Sequence, residues 1–139
     1  MTKIKVTFDK RRISVNGQVS ARYDDGNNGR TVYITPQFVI KVDDRGYDHD
    51  DMYAWKRIQP RDRKYFVPTL AQGKTPDGNR WSLQPFIEMD TNFTEEALQL
   101  AERLATKYHL YDIYIRDSDG PRNWAMHDGH PLFFDYGMI

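Results

Sequence analysis

The first part of the chain alternates between apolar and polar side chains in short runs. Val6 and Phe8 flank a threonine, and Ile13 and Val15 repeat the same period of two. That period is typical of a strand with one buried face. Directly after the second run, the pair Asn16-Gly17 favours a tight hairpin turn, because both residues tolerate positive φ angles. The pattern therefore predicts an antiparallel meander at the N-terminus.

Two further strands and a helix are predicted before residue 60. Residues 32–34 and 38–42 are strand-like, with a proline-containing turn between them. From Asp50 the period changes to that of a helix, since Ala54 and Ile58 fall on one stripe. Pro60 is expected to end this helix, because proline cannot donate a backbone hydrogen bond.

The segment that follows contains a basic link, a turn and another strand. Residues 61–64 are predicted to be a link, and 75–79 carry a strong turn signal, Thr-Pro-Asp-Gly-Asn. Residues 81–87 then read as a strand. Pro85 within it suggests either an edge strand or a bend.

The strongest helical pattern covers residues 91–109. Asn92 is predicted as its N-cap, with Glu95 three residues later completing a capping box. The helix has acidic residues in its first turn and Lys107 in its last, which suits the helix dipole. Its buried stripe is predicted to consist of Ala97, Ala101, Leu104 and Tyr108.

Composition narrows the class of protein. The chain has 139 residues, a formal net charge of zero and no cysteine. Its length suits one domain with a real core, and zero net charge gives no reason to expect binding to nucleic acid or membranes. Without cysteine, disulfides and thiolate metal sites are excluded. No apolar run is long enough to span a membrane and the N-terminus lacks a signal-peptide core, so we expect a soluble cytoplasmic protein.

The candidate chemistry lies in the last quarter of the chain, Tyr114 to Ile139. Asp135 follows the predicted strand 132–134 and precedes Tyr136-Gly137, so we expect it at the mouth of a strand. Asn123 lies before a predicted hairpin that includes this strand. A carboxylate and a carboxamide can together hold a hard cation through oxygen ligands.

These residues resemble the catalytic motifs of protein kinases. Ile115-Arg116-Asp117 is similar to the family's His-Arg-Asp, Asn123 to its asparagine, and Asp135-Tyr136-Gly137 to its Asp-Phe-Gly. The spacing leaves Asp119 as a competitor of Asp117 for the position of the aspartate in the catalytic loop. The resemblance implies that Asp117 accepts the proton of a substrate hydroxyl, and that Asn123 and Asp135 bind Mg²⁺ beside ATP.

The resemblance also implies an α+β fold of the kinase type. Residues 1–88 would form an N-lobe, an antiparallel five-stranded sheet with one helix inserted after the third strand. Residues 89–139 would form a rudimentary C-lobe, with one helix and a hairpin that carries the catalytic loop. The chain ends two residues after Gly137, so the segments that hold a protein substrate in kinases are expected to be missing.

Further site residues are carried over from the kinase pattern. Val39-Ile40-Lys41 is similar to the family's Val-Ala-Ile-Lys strand, so Lys41 is expected to contact the nucleotide phosphates. Asp51, with Asp50 as a second choice, would replace the helix glutamate that pairs with this lysine. Arg30 stands where the glycine-rich loop would end and could touch a phosphate.

The adenine contacts are expected from residues 83–88, which resemble the hinge strand. Gln84 would lie near the gatekeeper position, and the backbone around Phe86 would meet the edge of the base, although Pro85 removes one donor.

Other interpretations stay open at this point. The chain could be an inactive kinase-fold module that regulates or inhibits a protein partner, or an unrelated α+β domain whose turns happen to carry acids. A protein substrate or regulated partner is expected in either kinase-like case. A second copy of the chain in a homodimer could supply the part of the substrate site that the missing segments form in kinases. His127 and His130 could bind a metal, but the sequence offers no third ligand.

Overall fold

The computed structural model describes residues 4–9, 12–24, 30–43, 50–110 and 113–137. Ten strands, two α-helices and one 3₁₀ helix occur in this part of the chain, and all strand pairs within the three sheets are antiparallel. The predicted α+β class is confirmed. The strands are β1 Val6–Asp9, β2 Arg12–Val15, β3 Gln18–Val19, β4 Ala21–Asp24, β5 Arg30–Ile34, β6 Phe38–Asp43, β7 Ala71–Lys74, β8 Arg80–Pro85, β9 Trp124–His127 and β10 His130–Phe133. The helices are α1 Asp51–Arg57, the 3₁₀ helix Pro60–Tyr65 and α2 Glu95–Lys107.

The chain divides into two compact units. The first contains residues 1–47 and 69–86, and the second contains residues 48–68 and 87–139. The second unit therefore contains α1, although this helix was expected to belong with residues 1–88. No helix in the described ranges combines the length and the apolar character needed to cross a membrane.

The first unit contains two sheets. β1, β2 and β3 form a small meander, and the other sheet has the order β4-β5-β6-β8-β7. The turn between β2 and β3 consists of Asn16 and Gly17, whose φ angles of 51° and 80° are both positive, as a type I′ turn requires. The predicted meander and its turn are confirmed.

One face of the five-stranded sheet is apolar. Ile40 and Val42 on β6 pack with Leu83 on β8, and Ile13 and Val15 of the meander belong to the same buried cluster. β8 lies between β6 and β7, so of the two alternatives predicted for Pro85, an edge strand or a bend, the edge strand is wrong. Proline is accommodated because it is the last residue of the strand, where Phe86 takes over the pairing by donating its backbone N–H to Gln37 O at 2.8 Å.

The second unit forms its core between its helices and the hairpin of β9 and β10. Phe133 and Ala101 are fully buried there, and Phe66 lies with its ring centroid 5.0 Å from that of Phe133. The predicted stripe of α2 is confirmed, with Tyr108 half-buried and its other three members buried. The complete set of buried core residues is Ile58, Phe66, Ala97, Ala101, Leu104, Trp124, Met126, Phe133 and Tyr136.

Two local predictions for the helices are wrong. The N-cap of α2 is Thr94, whose hydroxyl accepts a hydrogen bond from Ala97 N at 3.1 Å, and the helix begins two residues later than the predicted cap Asn92 requires. The segment from Arg61 to Lys64 is no simple link, because it lies inside the 3₁₀ helix. Pro60 begins this helix, as the position of proline in a first turn allows.

Candidate functional site

Both candidates for the catalytic-loop aspartate lie in one exposed turn of the second unit. Asp117 accepts a hydrogen bond from Ser118 N at its carboxylate, at 2.8 Å, and its carbonyl accepts one from Gly120 N at 2.9 Å. Asp119 pairs with Arg122 at 3.2 Å, and its side chain is 71% exposed. Either carboxylate is accessible to a substrate, so the choice between them stays open.

Arg116 anchors this turn to α2. Its guanidinium donates two hydrogen bonds to Glu95 and one to Glu102, the latter at 2.9 Å. The hydrogen bonds from Arg116 lower the pKa of Glu95, and the same contacts, Glu95 first, raise the pKa of Arg116. Arg116 was predicted only as part of a motif, and its contacts with α2 were not predicted.

Asn123 and Asp135 are brought together at the base of the β9–β10 hairpin. The Asn123 carbonyl accepts hydrogen bonds from Phe134 N at 3.2 Å and from Asp135 N at 3.4 Å. Asn123 has a φ of 68°, a left-handed conformation that asparagine adopts more readily than most residues. Both residues are half-buried. Backbone hydrogen bonds therefore hold the two residues predicted as metal ligands next to each other.

Tyr136 and Gly137 attach the end of this motif to the rest of the second unit. Tyr136 is buried, donates its hydroxyl to Val67 O at 2.6 Å and meets Phe66 edge-on with the ring centroids 5.3 Å apart. Gly137 O accepts a hydrogen bond from Asp50 N at 2.8 Å. A Cβ at Gly137 would lie 1.8 Å from Asp51 Oδ1, so only glycine fits this approach.

The two aspartates proposed to pair with Lys41, Asp50 and Asp51, have different structural roles at the start of α1. Asp50 is the N-cap, since its carboxylate accepts a hydrogen bond from Tyr53 N at 3.0 Å. Asp51 is the first helical residue and is only 1% exposed. Capping the helix is an ordinary structural role for Asp50, so Asp51 remains the better candidate for a site residue.

In the first unit, the second face of the five-stranded sheet carries several buried polar side chains among half-buried aliphatic ones. Directly opposed residues of neighbouring strands point to the same face, and Lys41 on β6 opposes Ser82 while Arg30 on β5 opposes Asp43. Lys41 is 5% exposed and Gln84, next along β8 on this face, is 2% exposed. Since burying polar and charged groups is costly, such a face is a candidate for function.

Arg30 on this face is held by an ion pair. Its Nε donates to Asp43 Oδ1 at 2.8 Å, and the two side chains are each 3% exposed. Asp43 was not among the predicted site residues, because an aspartate at a strand end in an acidic segment is typical of a loop. A guanidinium held in this way is the weakest of the predicted phosphate contacts, because it would have to leave a buried carboxylate to reach a ligand.

The predicted adenine contacts differ in their surroundings. Gln84 donates from Nε2 to Thr69 Oγ1 at 3.5 Å, a long hydrogen bond inside the first unit. Phe86 is 43% exposed, but its backbone N–H is already donated to Gln37 O. The base edge could therefore not use that donor without breaking the end of the β6–β8 pairing.

The two histidines of the hairpin flank its turn. His127 places Nδ1 2.9 Å from Glu88 O, and His130 places Nδ1 2.9 Å from Pro131 O. Asp128 and Gly129 between them have φ angles of 50° and 77°, again a type I′ arrangement. Within the described ranges, no group of three or more His, Asp or Glu side chains is placed to hold a metal ion.

No protein-family model matches the chain, and no curated protein is similar to it in sequence. The kinase resemblance therefore depends on the motif residues and on the order of the elements that carry them.

Proposed function

We propose that the chain is a minimal kinase-like protein that binds ATP together with Mg²⁺ and transfers a phosphoryl group to a protein hydroxyl. The observation that carries the proposal is the pairing of Asn123 with Asp135, in a motif whose glycine packs against Asp51. Asn123 and Asp135 would hold the metal through oxygen atoms, which Mg²⁺ prefers.

The order of the elements supports this proposal. The chain forms β4, β5 and β6, then α1, and only then completes the same sheet with β7 and β8. A second helix and a hairpin follow. The kinase resemblance implies one helix after the third strand of a five-stranded sheet and a motif-bearing hairpin after the second helix. The described elements agree with that order.

The role of Lys41 in the proposal comes from the resemblance. It would contact the phosphates of the nucleotide, with Asp51 as the carboxylate that replaces the family's glutamate. Its burial adds physical support, because a lysine at a strand position that is 5% exposed costs stability that an apolar residue would not. Gln84 and Phe86 keep their proposed place near the base, but the backbone N–H of Phe86 would not contact the base because it is donated to Gln37 O.

The transfer itself would need little covalent participation from the protein. ATP supplies the phosphoryl group. The carboxylate of Asp117, or of Asp119, accepts the hydroxyl proton while the hydroxyl oxygen bonds to the γ-phosphorus and the bond to ADP breaks. Arg116, through Glu95 and Glu102, would keep the turn that carries both acids on α2.

The nucleotide part of the proposal is tested by thermal unfolding with ATP, with and without Mg²⁺. A ligand that binds only the folded state adds about 2.7 kcal/mol at a hundred times its dissociation constant, so we expect a rise in melting temperature that requires Mg²⁺. Asp135→Asn removes the charge that attracts the metal and should abolish the Mg²⁺-dependent part of the rise.

Asp128→Asn is the matched control, because it makes the same chemical change in the exposed turn of the same hairpin. It should keep the full ATP response. Asp135 is a better test than Asn123, since the left-handed backbone of Asn123 gives that residue a structural reason to be present. Equal responses from the wild type and Asp135→Asn would contradict the assignment of the metal ligands.

The second candidate function is a kinase-fold module without turnover that regulates or inhibits a protein partner. The ion pair of Arg30 with Asp43 and the use of the Phe86 N–H within the sheet both favour it. Phosphoryl transfer to a mixed protein acceptor from γ-labelled ATP separates the two functions. Label transfer that is lost in Asp117→Asn or Asp119→Asn supports an enzyme, whereas ATP binding without transfer supports the module.

A further inference from the structure

The second unit has an open cavity of about 660 Å³ that the kinase resemblance does not use. It lies where the end of α1 and the end of α2 meet the segment after α2. Its volume is within the range of about 300–1,000 Å³ that is usual for ligand sites. The described residues that line it are Tyr53, Ala54, Arg57, Ile58, Gln59, Lys107, Tyr108, His109, Leu110 and Tyr136.

The deepest lining residues of this cavity are apolar. Ile58 and Tyr136 are 2% and 3% exposed, so each presents only a small part of its surface. Ala54 and Leu110 add further apolar surface and are half-buried. Leu110 N donates to Ala105 O at 2.9 Å, a helix-ending hydrogen bond that fixes the position of Leu110. An apolar side chain of moderate size would find complementary surface here.

The rim of the cavity is basic. Arg57 and Lys107 line it, and Arg61 is joined to Lys107 through Gln59, whose Oε1 accepts from Arg61 Nε at 3.1 Å and from Lys107 Nζ at 3.0 Å. Arg57 is oriented by Tyr53, with its guanidinium carbon 5.4 Å from the ring centroid. No acidic residue is among the described residues of the lining.

A charge balance shows that the rim stays positive after local compensation. Arg57, Arg61 and Lys107 carry three positive charges, and Asp62 opposes them by accepting a hydrogen bond from Lys107 at 2.7 Å. The C-termini of α1 and α2 each contribute about half a negative charge. Among the described residues, roughly one positive charge therefore remains, so the rim favours an acidic ligand over a neutral or basic one.

The shape and the chemistry together favour a peptide. A nucleic acid would gain most of its affinity from several phosphate contacts, and it would leave the apolar floor without a partner. A small carboxylic acid would fit the cavity but would not use the basic side chains that continue along the 3₁₀ helix, where Lys64 is exposed. A peptide with an acidic residue beside an apolar one matches both the rim and the floor.

We infer that this cavity, at the Tyr53, Arg57, Lys107 and Leu110 rim, docks an acidic segment of a protein partner that inserts an apolar side chain. The inference does not require nucleotide binding. It concerns the partner or substrate protein that both candidate functions need, and it assigns the recognition of that protein to a surface that shares Tyr136 with the Asp-Tyr-Gly motif but contains none of the residues proposed to bind nucleotide or metal.

The test uses a fluorescein-labelled peptide, Glu-Glu-Leu-Phe-Glu-Glu, with fluorescence anisotropy and amide NMR shifts measured without nucleotide. We expect saturable binding that shifts Tyr53, Arg57 and His109. Arg57→Gln should weaken it roughly tenfold, as the loss of a hydrogen bond between charged groups does. Arg103→Gln, the same change at an exposed position on α2, should leave it unchanged. Circular dichroism checks that both variants fold.

Three comparison probes decide the chemistry. Gln-Gln-Leu-Phe-Gln-Gln should bind more weakly because it lacks charge, and Glu-Glu-Ser-Ser-Glu-Glu because it lacks the apolar anchor. A short labelled oligothymidylate should not compete. The inference is overturned if the acidic peptide at millimolar concentration shifts none of the lining residues, if Arg57→Gln and Arg103→Gln behave alike, or if the oligothymidylate binds these residues more tightly. Because no ATP is present, each result is independent of the nucleotide test.

Discussion

Replacing Gly137 by alanine tests the contact that connects the Asp-Tyr-Gly motif to α1. An added Cβ would lie 1.8 Å from Asp51 Oδ1, 2.8 Å from Asp51 N and 2.9 Å from Asp51 Cα. Rotation of the Asp51 side chain would relieve only the first of these contacts. The other two involve backbone atoms, so α1 or the chain at residue 137 would have to move.

The size of the effect follows from these distances. Contacts under 3.0 Å essentially do not occur for a real Cβ, so the buried Asp51 carboxylate would have to rotate away from the 1.8 Å contact, and the two backbone contacts would require a shift of about 0.1–0.2 Å, the difference between 3.0 Å and 2.9 or 2.8 Å. Overpacking a rigid site usually costs about 1–3 kcal/mol, and the approach to backbone atoms places Gly137→Ala near 3 kcal/mol. For a chain of this length that corresponds to a loss of roughly 12 °C in melting temperature.

Urea unfolding followed by tryptophan fluorescence measures this cost, because Trp55 on α1 and the buried Trp124 both lie in the second unit. Gly129→Ala is the matched control. An added Cβ there meets nothing within 4 Å, but φ is +77°, so only the conformational penalty of about 1 kcal/mol is expected. A Gly137→Ala protein that is as stable as Gly129→Ala would refute the reasoning. A double variant with Asp51→Ala should be less destabilised than the sum of the single changes.

Two further predictions concern stability in the second unit. Thr94→Ala should lower the free energy of unfolding by about 1 kcal/mol, because the hydroxyl caps α2, whereas Asn92→Ala should stay within about 0.5 kcal/mol; urea unfolding of both variants measures the difference, and equal losses would contradict the observed cap. Asp62 accepts hydrogen bonds from Lys107 and Tyr108, which hold its pKa below the ordinary value of 3.8. Its contribution is therefore present above that value and is lost as the pH falls through the lowered pKa, so Asp62→Asn should be destabilising at neutral pH and should match the wild type in strong acid. A gap between the two proteins that persists below the lowered pKa would show that charge is not the cause.

The sequence predicted the elements of this fold better than their ends. Period-two and period-3.6 patterns are determined by which face is buried, and β2, β6, α1 and α2 all appear where such patterns occur. The start of α2 was misplaced because both Asn92 and Thr94 are good capping residues, and only the fold decides which of them precedes the first helical turn. Pro85 was misjudged because its effect depends on its position in the strand, which a local pattern does not determine.

The candidate site was predictable only where the chemistry lies within a short stretch of sequence. Asn123 and Asp135 meet across one hairpin whose turn, Asp128-Gly129, has a recognisable signal. The ion pair of Arg30 with Asp43 depends on the register of β5 and β6, and the Arg116 contacts depend on where a loop meets α2. Such contacts between residues distant in sequence have no local signature, so the sequence analysis missed them.

The fold itself explains two of the motif residues. Gly137 is required by the close approach of Asp51, and the left-handed backbone at residue 123 favours asparagine. Loss of function at Gly137 or Asn123 would therefore be ambiguous, because either change also disturbs the backbone. Asp135, in the ordinary backbone beside this hairpin, is therefore the residue at which the proposed metal site is best tested.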